Sequence, residues 1–462
     1  MKEIDPPYKP GAVLAVTQQS PLPGIVEQLR NDGVELVRLS YCDLHGTARG
    51  KDIPLEMLEG AARDGVAFCV ANLTDGLAGN PTNAPGCAPD RGYPDMLARP
   101  VLSTLTRIPW EPEVAWYLAD VEEQQGPVEY APRHVLACAV ERCARLGLYP
   151  IAGPELEFFL LQADEQGRLT RYGDKPSMVY TTGKRSDPRG VVREMLKTAH
   201  KMGLLVTASS HEFARGQFEI NLRHGEALDA ADRAFRFKAM VKDLAACHGL
   251  LATFMGRPFN DDGGSGFHVH VSLNDRSGAN VFARDDARDD LSTMARHFLA
   301  GVLEHAPAMM ALLAPTINAY KRLLPDSLVP TAANWAFDNR TSFVRIPAER
   351  GSGTRLEVRA ADASANPYLV IAAILLAGLD GIQRELMPPD PVAGDVSVGA
   401  ILGTALPRSL EASLAALRAD TCLCEALGWP LVNAFCAMKY VEIERFRTYV
   451  TEWEVNEYAW HL

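Results

Sequence analysis

Four short segments place acidic or imidazole side chains two residues apart within otherwise apolar sequence. They are Glu155-Leu156-Glu157-Phe158-Phe159, Gln217-Phe218-Glu219-Ile220-Asn221, His268-Val269-His270-Val271 and Arg355-Leu356-Glu357-Val358-Arg359. A β-strand alternates its side chains between two faces, so each polar set shares one face and its apolar partners take the other. With His211-Glu212 the set holds five carboxylates, Glu155, Glu157, Glu212, Glu219 and Glu357, and two or three imidazoles. Oxygen-rich sets with an occasional imidazole suit Mg²⁺ or Mn²⁺; zinc more often recruits thiolates or several histidines. Taken singly, each segment is ordinary: a solvated Glu-x-Glu face, a structural His-x-His, a surface ladder of ion pairs. Repetition of the pattern on segments with strongly apolar alternates favours a shared, partly enclosed face.

Arginine supplies the other half. Arg322, Arg340, Arg345, Arg355 and Arg359 all fall between positions 322 and 359. Guanidinium forks match carboxylate and phosphate oxygens bidentately. Carboxylates that hold metals, beside clustered arginines, meet the demand of phosphoryl transfer, which is neutralisation of charge around phosphate oxygens. The residues alone therefore predict an ATP- and metal-dependent phosphotransferase or ligase acting on an anionic substrate. The usual nucleotide loops are absent. Gly46-Thr47-Ala48-Arg49-Gly50-Lys51 has one residue too few between its glycines for a P-loop, no GxGxxG follows a strand, and no GxSxG occurs.

The elements that must position these groups follow from periodicity. Residues 34–55 alternate as strands around the turn signal Asp43-Leu44-His45-Gly46, and Glu113 to Val121 reads as another strand. Residues 74–100, dense in Gly, Pro, Asn and Asp, read as one long loop. The polar break Glu122–Pro127 is taken as a domain boundary, giving a β-rich unit over 1–127 and a larger mixed unit over 128–462. Pro132 opens a helix to about Leu146, and Asn366-Pro367 opens another to about Leu386. Helical stretches near 408–420 and 429–449 are expected to end the chain. The predicted class is α+β.

Composition bounds the partners. The 462 residues carry 46 Lys+Arg against 58 Asp+Glu, a net charge of −12, which disfavours nucleic acid and anionic membrane as partners. The longest apolar run, Leu369 to Leu379, is far too short to cross a bilayer, and no N-terminal apolar run exceeds Gly11 to Val16. Nine scattered cysteines without a CxxC read as thiols in a reducing, cytoplasmic setting.

Ordered motifs then carry a resemblance along nearly the whole chain. They begin with Asp43-x-x-Gly46-x-x-Arg49-Gly50-Lys51, Pro132-Arg133-x-Val135-Leu136, Gly153-x-Glu155-x-Glu157-Phe158 and His211-Glu212-Phe213-Ala214-x-Gly216-Gln217-x-Glu219. They continue with Gly264-Ser265-Gly266-Phe267-His268-Val269-His270-x-Ser272, Asn318-x-Tyr320-Lys321-Arg322-Leu323, Asn339-Arg340 and Arg345-Ile346-Pro347. Arg355-x-Glu357-x-Arg359, Asn366-Pro367-Tyr368-Leu369 and Val450-Thr451-x-Trp453-Glu454 complete the series. In these stretches the chain resembles the glutamine synthetase superfamily, class I.

That resemblance implies an N-terminal β-grasp domain, a catalytic domain on a curved antiparallel sheet, and a dodecamer of two hexameric rings whose active sites are shared between neighbouring subunits. It implies two to three Mg²⁺ or Mn²⁺ ions per site. Glu157, Glu212 and Glu219 would hold one metal, and Glu155, His268 and Glu357 the metal that meets the ATP phosphates. Arg322, Arg340 and Arg359, with the backbone of Gly264, would grip glutamate. Arg345 and Arg355 would neutralise nucleotide phosphates near His270 and Ser272, and Arg340 and Arg345 count as catalytic.

Two departures modify that picture. The flap reads Pro325-Asp326-Ser327-Leu328-Val329-Pro330, with Leu328 where ammonium-using members carry a glutamate. The loop supplying the neighbour's ammonium-binding aspartate is replaced by Asn72-Leu73-Thr74-Asp75-Gly76. Leucine removes an acceptor for NH₄⁺ and adds apolar surface, so the acceptor is expected to be an organic amine, as in γ-glutamyl-polyamine and γ-glutamyl-monoamide synthetases. Gly263 stands where the family has an asparagine that helps recognise the amino acid, and Gly394-Asp395-Val396-Ser397 offers no tyrosine for adenylylation. An ordinary ammonium-using enzyme and an inactive structural member are the competing readings.

Overall fold

A computed structural model describes residues 22–82, 89–173, 178–283, 291–324, 328–397 and 402–462. The Gly11–Val16 run, part of the 74–100 loop and Pro325–Ser327 of the flap lie outside the described residues.

Helix α1 (Leu22–Asn31) and helix α2 (Leu58–Asp64) accompany the first sheet. Its strands are β1 (Leu36–Cys42), β2 (Ala48–Pro54), β3 (Val66–Cys69), β4 (Asp95–Pro100), β5 (Thr106–Ile108), β6 (Glu111–Glu123) and β7 (Gly126–Pro127), in the order β2-β1-β6-β4-β3, with β5 and β7 on β6. β1 and β6 run parallel; the other pairs are antiparallel. β4 corrects the expected long loop: Met96 and Ala98 alternate into the core, a pattern masked by the Gly and Pro density before it. The polar break at 122–127 folds as a hairpin, with Glu122 paired to Pro127 and Glu123 to Gly126.

The second sheet is built around one long strand, β8 (Tyr149–Ala163), which follows α3 (Pro132–Arg145). Its companions are β9 (Leu169–Arg171), β10 (Val206–His211), β11 (Gln217–Leu222), β12 (Gly225–Glu226), β13 (Leu251–Thr253) and β14 (Phe267–Asn274). The short β15 (Ala332–Ala333) pairs apart from this sheet, which continues with β16 (Trp335–Phe337), β17 (Val344–Ile346) and β18 (Leu356–Val358). The order is β10-β11-β8-β14-β18-β17-β16, antiparallel except for β16 with β17. One face is apolar and buried: Leu156, Phe158, Phe218, Ile220, Phe267, Val269, Leu356 and Val358.

Helices α4 (Val191–Lys201), α5 (Ala227–Cys247), α6 (Thr293–Glu304), α7 (Ala306–Leu313) and α8 (Pro367–Gln383) complete the core. Phe158 packs its ring 6.2 Å from Phe237 of α5 and 5.7 Å from Phe254. Asn366 caps α8, its side chain accepting from the Tyr368 N–H, as the Asn-Pro pair predicts. The same side chain donates to the Asp43 carbonyl at 2.9 Å, joining α8 to the β1–β2 turn. α6 and α8 cross backbone to backbone. A Cβ on Gly301 would meet the Ala377 carbonyl oxygen at 2.1 Å, and one on Gly381 the His297 carbonyl oxygen at 2.1 Å.

After β19 (Thr404–Ala405), α9 (Leu410–Ala419) and α11 (Trp429–Arg447) answer the two expected terminal helices. Two further helices, α10 (Thr421–Leu427) and α12 (Glu452–Tyr458), correct the expected end. α10 is only two turns long, and α12 is announced by a capping box, Thr451 with Glu454. The apolar run Leu369–Leu379 lies buried within α8, and no single described helix is long and apolar enough to cross a membrane. The described cysteines are unbridged thiols.

Candidate active site

Strand register gathers the predicted groups. On the polar face of the second sheet, Glu157 lies opposite Glu219, Glu155 opposite His268, and His270 opposite Glu357. Arg345 of β17 lies opposite Glu357 in turn. Because directly opposed residues share a face, four strands deliver their acids and imidazoles to one surface.

Two triads there have ligand atoms within 4.8 Å of one another: Glu155, His268 and Glu357, and Glu157, Glu219 and His268. The first is the expected set for the ATP-side metal. In the second, His268 stands where Glu212 was expected. Glu212 sits in the turn after β10, where Ser210 Oγ donates to its Oε1 at 3.0 Å. It remains electrostatically part of the cluster: burial, then repulsion from Glu157, pushes its carboxyl up to about 7. Burial with Glu155, Glu157 and Glu212 nearby holds Glu219 well above the usual carboxylate range. Such convergence of half-buried carboxylates is the condition a divalent cation relieves, and the donor set, carboxylates with one imidazole, fits Mg²⁺ or Mn²⁺. His211 turns away, its ring edge-on to Phe218 at 5.1 Å, so two imidazoles contribute.

Glu155 and Glu357 behave oppositely to Glu219. Burial works against the charge of Glu155, but His268 and His270 outweigh it and hold the carboxyl well below its ordinary value. His270 Nε2 lies 3.2 Å from Glu155 Oε1, and Arg355 Nε lies 3.1 Å from His270 Nδ1. Burial likewise opposes Glu357, but Arg359, His268, His270 and Arg345 bring it down to about 2. Arg345 Nη1 donates to Glu357 Oε2 at 2.5 Å, and Arg359 donates to its other oxygen. Both arginines, expected on nucleotide and amino acid, thus rest on a metal-type carboxylate.

The remaining substrate residues border the same surface. Arg322 is buried and donates to the carbonyls of Ala360 and Ala361 at 3.2 Å. A Cβ on Gly266 would meet Arg322 Nη2 at 2.7 Å, Glu157 Oε1 at 3.2 Å and His268 Nε2 at 3.2 Å, which places all three groups around one glycine. Gly264 also has no room for a side chain, because a Cβ would lie 2.2 Å from the Gly256 carbonyl oxygen. Gly263 differs: a Cβ there makes ordinary contacts, Gln217 Oε1 at 3.7 Å being the nearest, so crowding does not forbid the family asparagine. Arg340 is exposed, and its carbonyl accepts from Arg359 Nε at 3.0 Å. A cleft of about 420 Å³ is lined by Glu155, His270, Ser272 and Arg355 together with His224 and Thr207.

Three supporting residues carry no role in the sequence reading. Gln217 is buried and donates to Glu157 Oε2 at 2.8 Å and to the Gly264 carbonyl at 3.1 Å, tying a metal-type ligand to the substrate loop. Asn221 donates to Glu219 Oε1 at 2.8 Å, and Ser210 serves Glu212 as described. The available signal is period two: Gln217, Glu219 and Asn221 occupy alternate positions of one strand whose other positions are apolar.

Comparison with known proteins agrees with this geometry. The family described as glutamine synthetase, catalytic domain, matches residues 129–458. The chain is 35% identical over 444 residues to a glutamine synthetase of Clostridium saccharobutylicum, covering 94% of this chain and 97% of that protein. It is also 35% identical over 447 residues to a glutamate–isopropylamine ligase of a Pseudomonas species, covering 93% and 96%. Among solved structures, GmaS without ligand superposes with a TM-score of 0.85 at 34% identity, over 94% of this chain and 99% of that one. A sheet that arrays paired carboxylates and arginines on one face, in a chain matched along this length, assigns it: the protein belongs to the glutamine synthetase family.

Proposed function

We propose that this family member is an ATP-dependent ligase joining the γ-carboxylate of glutamate to an organic amine through γ-glutamyl phosphate. The observation that carries the ligase reading is the pair of overlapping triads on the second sheet, Glu155–His268–Glu357 and Glu157–Glu219–His268, flanked by Arg340, Arg345 and Arg359. Two to three Mg²⁺ or Mn²⁺ ions bound by Glu155, Glu157, Glu212, Glu219, His268 and Glu357 would supply charge neutralisation on phosphate oxygens. In the first step a glutamate γ-carboxylate oxygen bonds to the terminal phosphorus of ATP and ADP leaves. In the second, the neutral amine bonds to the acyl carbon, phosphate leaves, and one amine proton is released. Arg345 and Arg355 face the nucleotide phosphates beside His270 and Ser272, while Arg322, Arg340, Arg359 and the Gly264 backbone orient glutamate. Ammonium-type amines have a pKa near 10.4, taking lysine as the guide, so the amine must lose a proton before attack.

The amine reading rests on Leu328. Its side chain is partly exposed at φ 57, an uncommon backbone angle for a branched residue. An alkyl group on the acceptor gains roughly 0.8 kcal/mol per CH₂ buried against such a surface. The Pseudomonas relative, a glutamate–isopropylamine ligase, supports the same direction, whereas the Clostridium relative, a glutamine synthetase, supports ammonium as the second reading. Phosphate release and product mass spectra with glutamate, ATP, Mg²⁺ and a panel of ammonium, methylamine, isopropylamine, ethanolamine, putrescine and spermidine decide between them. Highest kcat/KM with ammonium overturns the amine assignment. Absence of glutamate binding with a non-hydrolysable ATP analogue, read by titration calorimetry, overturns glutamate as the acyl donor.

The active assembly is proposed to be a dodecamer of two hexameric rings with sites shared between neighbours. Tyr449, Val450, Trp453, Tyr458 and Trp460 stand exposed at the C-terminal end, as expected for an arm that packs on another copy. Light scattering that returns a monomer mass removes this part of the proposal.

A further inference from the structure

Away from the catalytic face, a cavity of about 950 Å³ opens between the β1–β2 turn, α5 and α11. None of its lining residues belongs to the site described above. Five cationic side chains line it: Lys238 and Lys242 of α5, Lys321 of the short turn Ala319–Lys321, and Lys439 and Arg445 of α11. Glu442 is the one carboxylate in the lining. In a chain of net charge −12, such an excess of positive charge in one cavity is a local feature and not a reflection of composition.

Carboxylates outside the lining act on three of the cations through space: Asp43 and Asp362 on Lys238, Asp43 and Asp243 on Lys242, and Asp43 on Lys439. Glu442 Oε2 accepts from Lys439 Nζ at 3.1 Å, and its Oε1 accepts from the Ile317 N–H at 3.1 Å, so the single acid is engaged on both oxygens. Lys439 Nζ also lies 3.3 Å from His45 Nδ1. Burial, then Lys439 itself, lowers that imidazole to about 3, and its Nε2 lies 3.1 Å from the Asp75 carbonyl oxygen. His45 is therefore a neutral acceptor that adds no charge of either sign. Lys238 is buried and donates to the carbonyls of Ala363 and Ala365 at 2.9 and 3.0 Å, which are neutral groups. Burial, with Lys242 next in effect, lowers its ammonium to about 7, against the opposing pull of Asp362 and Asp43. Lys321 lies over the Phe446 ring at 5.5 Å. Among the described residues, Arg445 and Lys242 make no side-chain hydrogen bond, and Lys242 is met only through space by Asp43 and Asp243.

We propose that this cavity binds a small polyanion bearing clustered anionic oxygens, a di- or tricarboxylate or a phosphate. Lys242, Lys321 and Arg445 meet its charge, and Lys238 and Lys439 form the floor. Phe254, Met255, Ile317 and Phe446 line the rest and accommodate an organic body of the kind a cavity of this size holds. Clustered ammonium and guanidinium groups bind such oxygens through charge-assisted hydrogen bonds. The chain's acidic balance opposes an extended polyanion such as nucleic acid.

The test uses the full-length protein in metal-free buffer, with succinate, citrate and inorganic phosphate each titrated by calorimetry. Saturable binding of at least one is expected, weakened at least tenfold in the Lys242→Gln/Arg445→Gln double variant, with ADP–Mg²⁺ binding unchanged. Binding of succinate or citrate alone identifies a carboxylate ligand, and binding of phosphate alone identifies a phosphate ligand; either supports the site. No saturable binding of any probe overturns it. Equal affinity in the double variant also overturns it, because the anions then occupy the arginines of the catalytic face. A parallel tenfold loss of ADP–Mg²⁺ binding overturns it as well, since the effect is then not local.

Discussion

The acidic face of the second sheet and the cationic cavity beneath α11 both gather like charges, yet they are built on opposite plans. The acids, all but Glu212 on strands at fixed register, are short side chains gripped by donors: Gln217 on Glu157, Asn221 on Glu219, Ser210 on Glu212, Arg345 and Arg359 on Glu357. The cations stand on two helices and a turn, at the ends of long side chains, and the lining offers them one carboxylate, Glu442. Fixed short arms suit a small ion with demanding geometry. Long mobile arms suit an anion whose shape can vary.

The largest expected effect breaks the rigid side of this contrast. Glu357→Ala leaves Arg345 and Arg359 without their shared carboxylate, and loss of one partner of a buried pair costs about 3–5 kcal/mol. Urea unfolding should show it. Ligase turnover should fall by about 10²–10³-fold or more, as when a charge-stabilising group is removed. Unchanged stability would mean that the two arginines do not depend on Glu357.

Gln217→Ala removes a gripping residue and spares the carboxylates. A supporting hydrogen bond to a metal ligand is typically worth 10–100-fold in metal affinity, and a loss of about that size is expected in Mn²⁺ titration. Leu328→Glu tests the flap. Each methylene of the acceptor should lose about fourfold in its preference over ammonium, the equivalent of about 0.8 kcal/mol, in competition assays.

A third cluster, of mixed sign, is the control. His305 lies between Asp420 at 2.6 Å and Asp380 at 3.0 Å. Burial opposes its charge, but the two carboxylates outweigh that and raise the imidazolium above its ordinary value. A folded-state pKa above the unfolded one gives stability that is complete below the unfolded value, about 6.5, and is lost as pH rises through the folded value. Melting temperature should therefore decline through that window, and His305→Asn should flatten the decline. A slope that survives in the variant assigns the effect elsewhere. The smallest effect is at the cationic cavity: Lys242→Gln should raise stability slightly, within about 0.5 kcal/mol, by relieving repulsion of Lys238. A drop in stability would mean that Lys242 has a structural partner.

The contrast also explains what could be read from sequence. Acids at period two on apolar strands are a local pattern, and it singles out groups that the strands bring together; their division into two sets came from the family resemblance, and one triad here has His268 where that set had Glu212. Asn366-Pro367 announced α8 because capping is decided within a few residues. The cationic cavity was invisible, since Lys238, Lys321 and Lys439 meet only through the folding of α5 and α11 around the N-terminal turn. β4 was hidden behind a Gly- and Pro-rich stretch, and the role of Gln217 depends on two partners, both far away in sequence. Gly263 was legible as a departure, but only the open space beside it shows that the missing amide was not excluded by crowding.

The crossing of α6 and α8 at Gly301 and Gly381 is a joint with no clearance. Each backbone is the other's bearing surface, so α8 can neither roll nor slide without carrying α6 along. It starts at its cap, Asn366, which holds the β1–β2 turn, and that turn forms one wall of the cationic cavity. A shim the size of one methyl group at either glycine would therefore be transmitted along α8 to the seam between the N-terminal sheet and the rest of the chain. The tolerances of that distant seam are machined at two residues that touch no ligand.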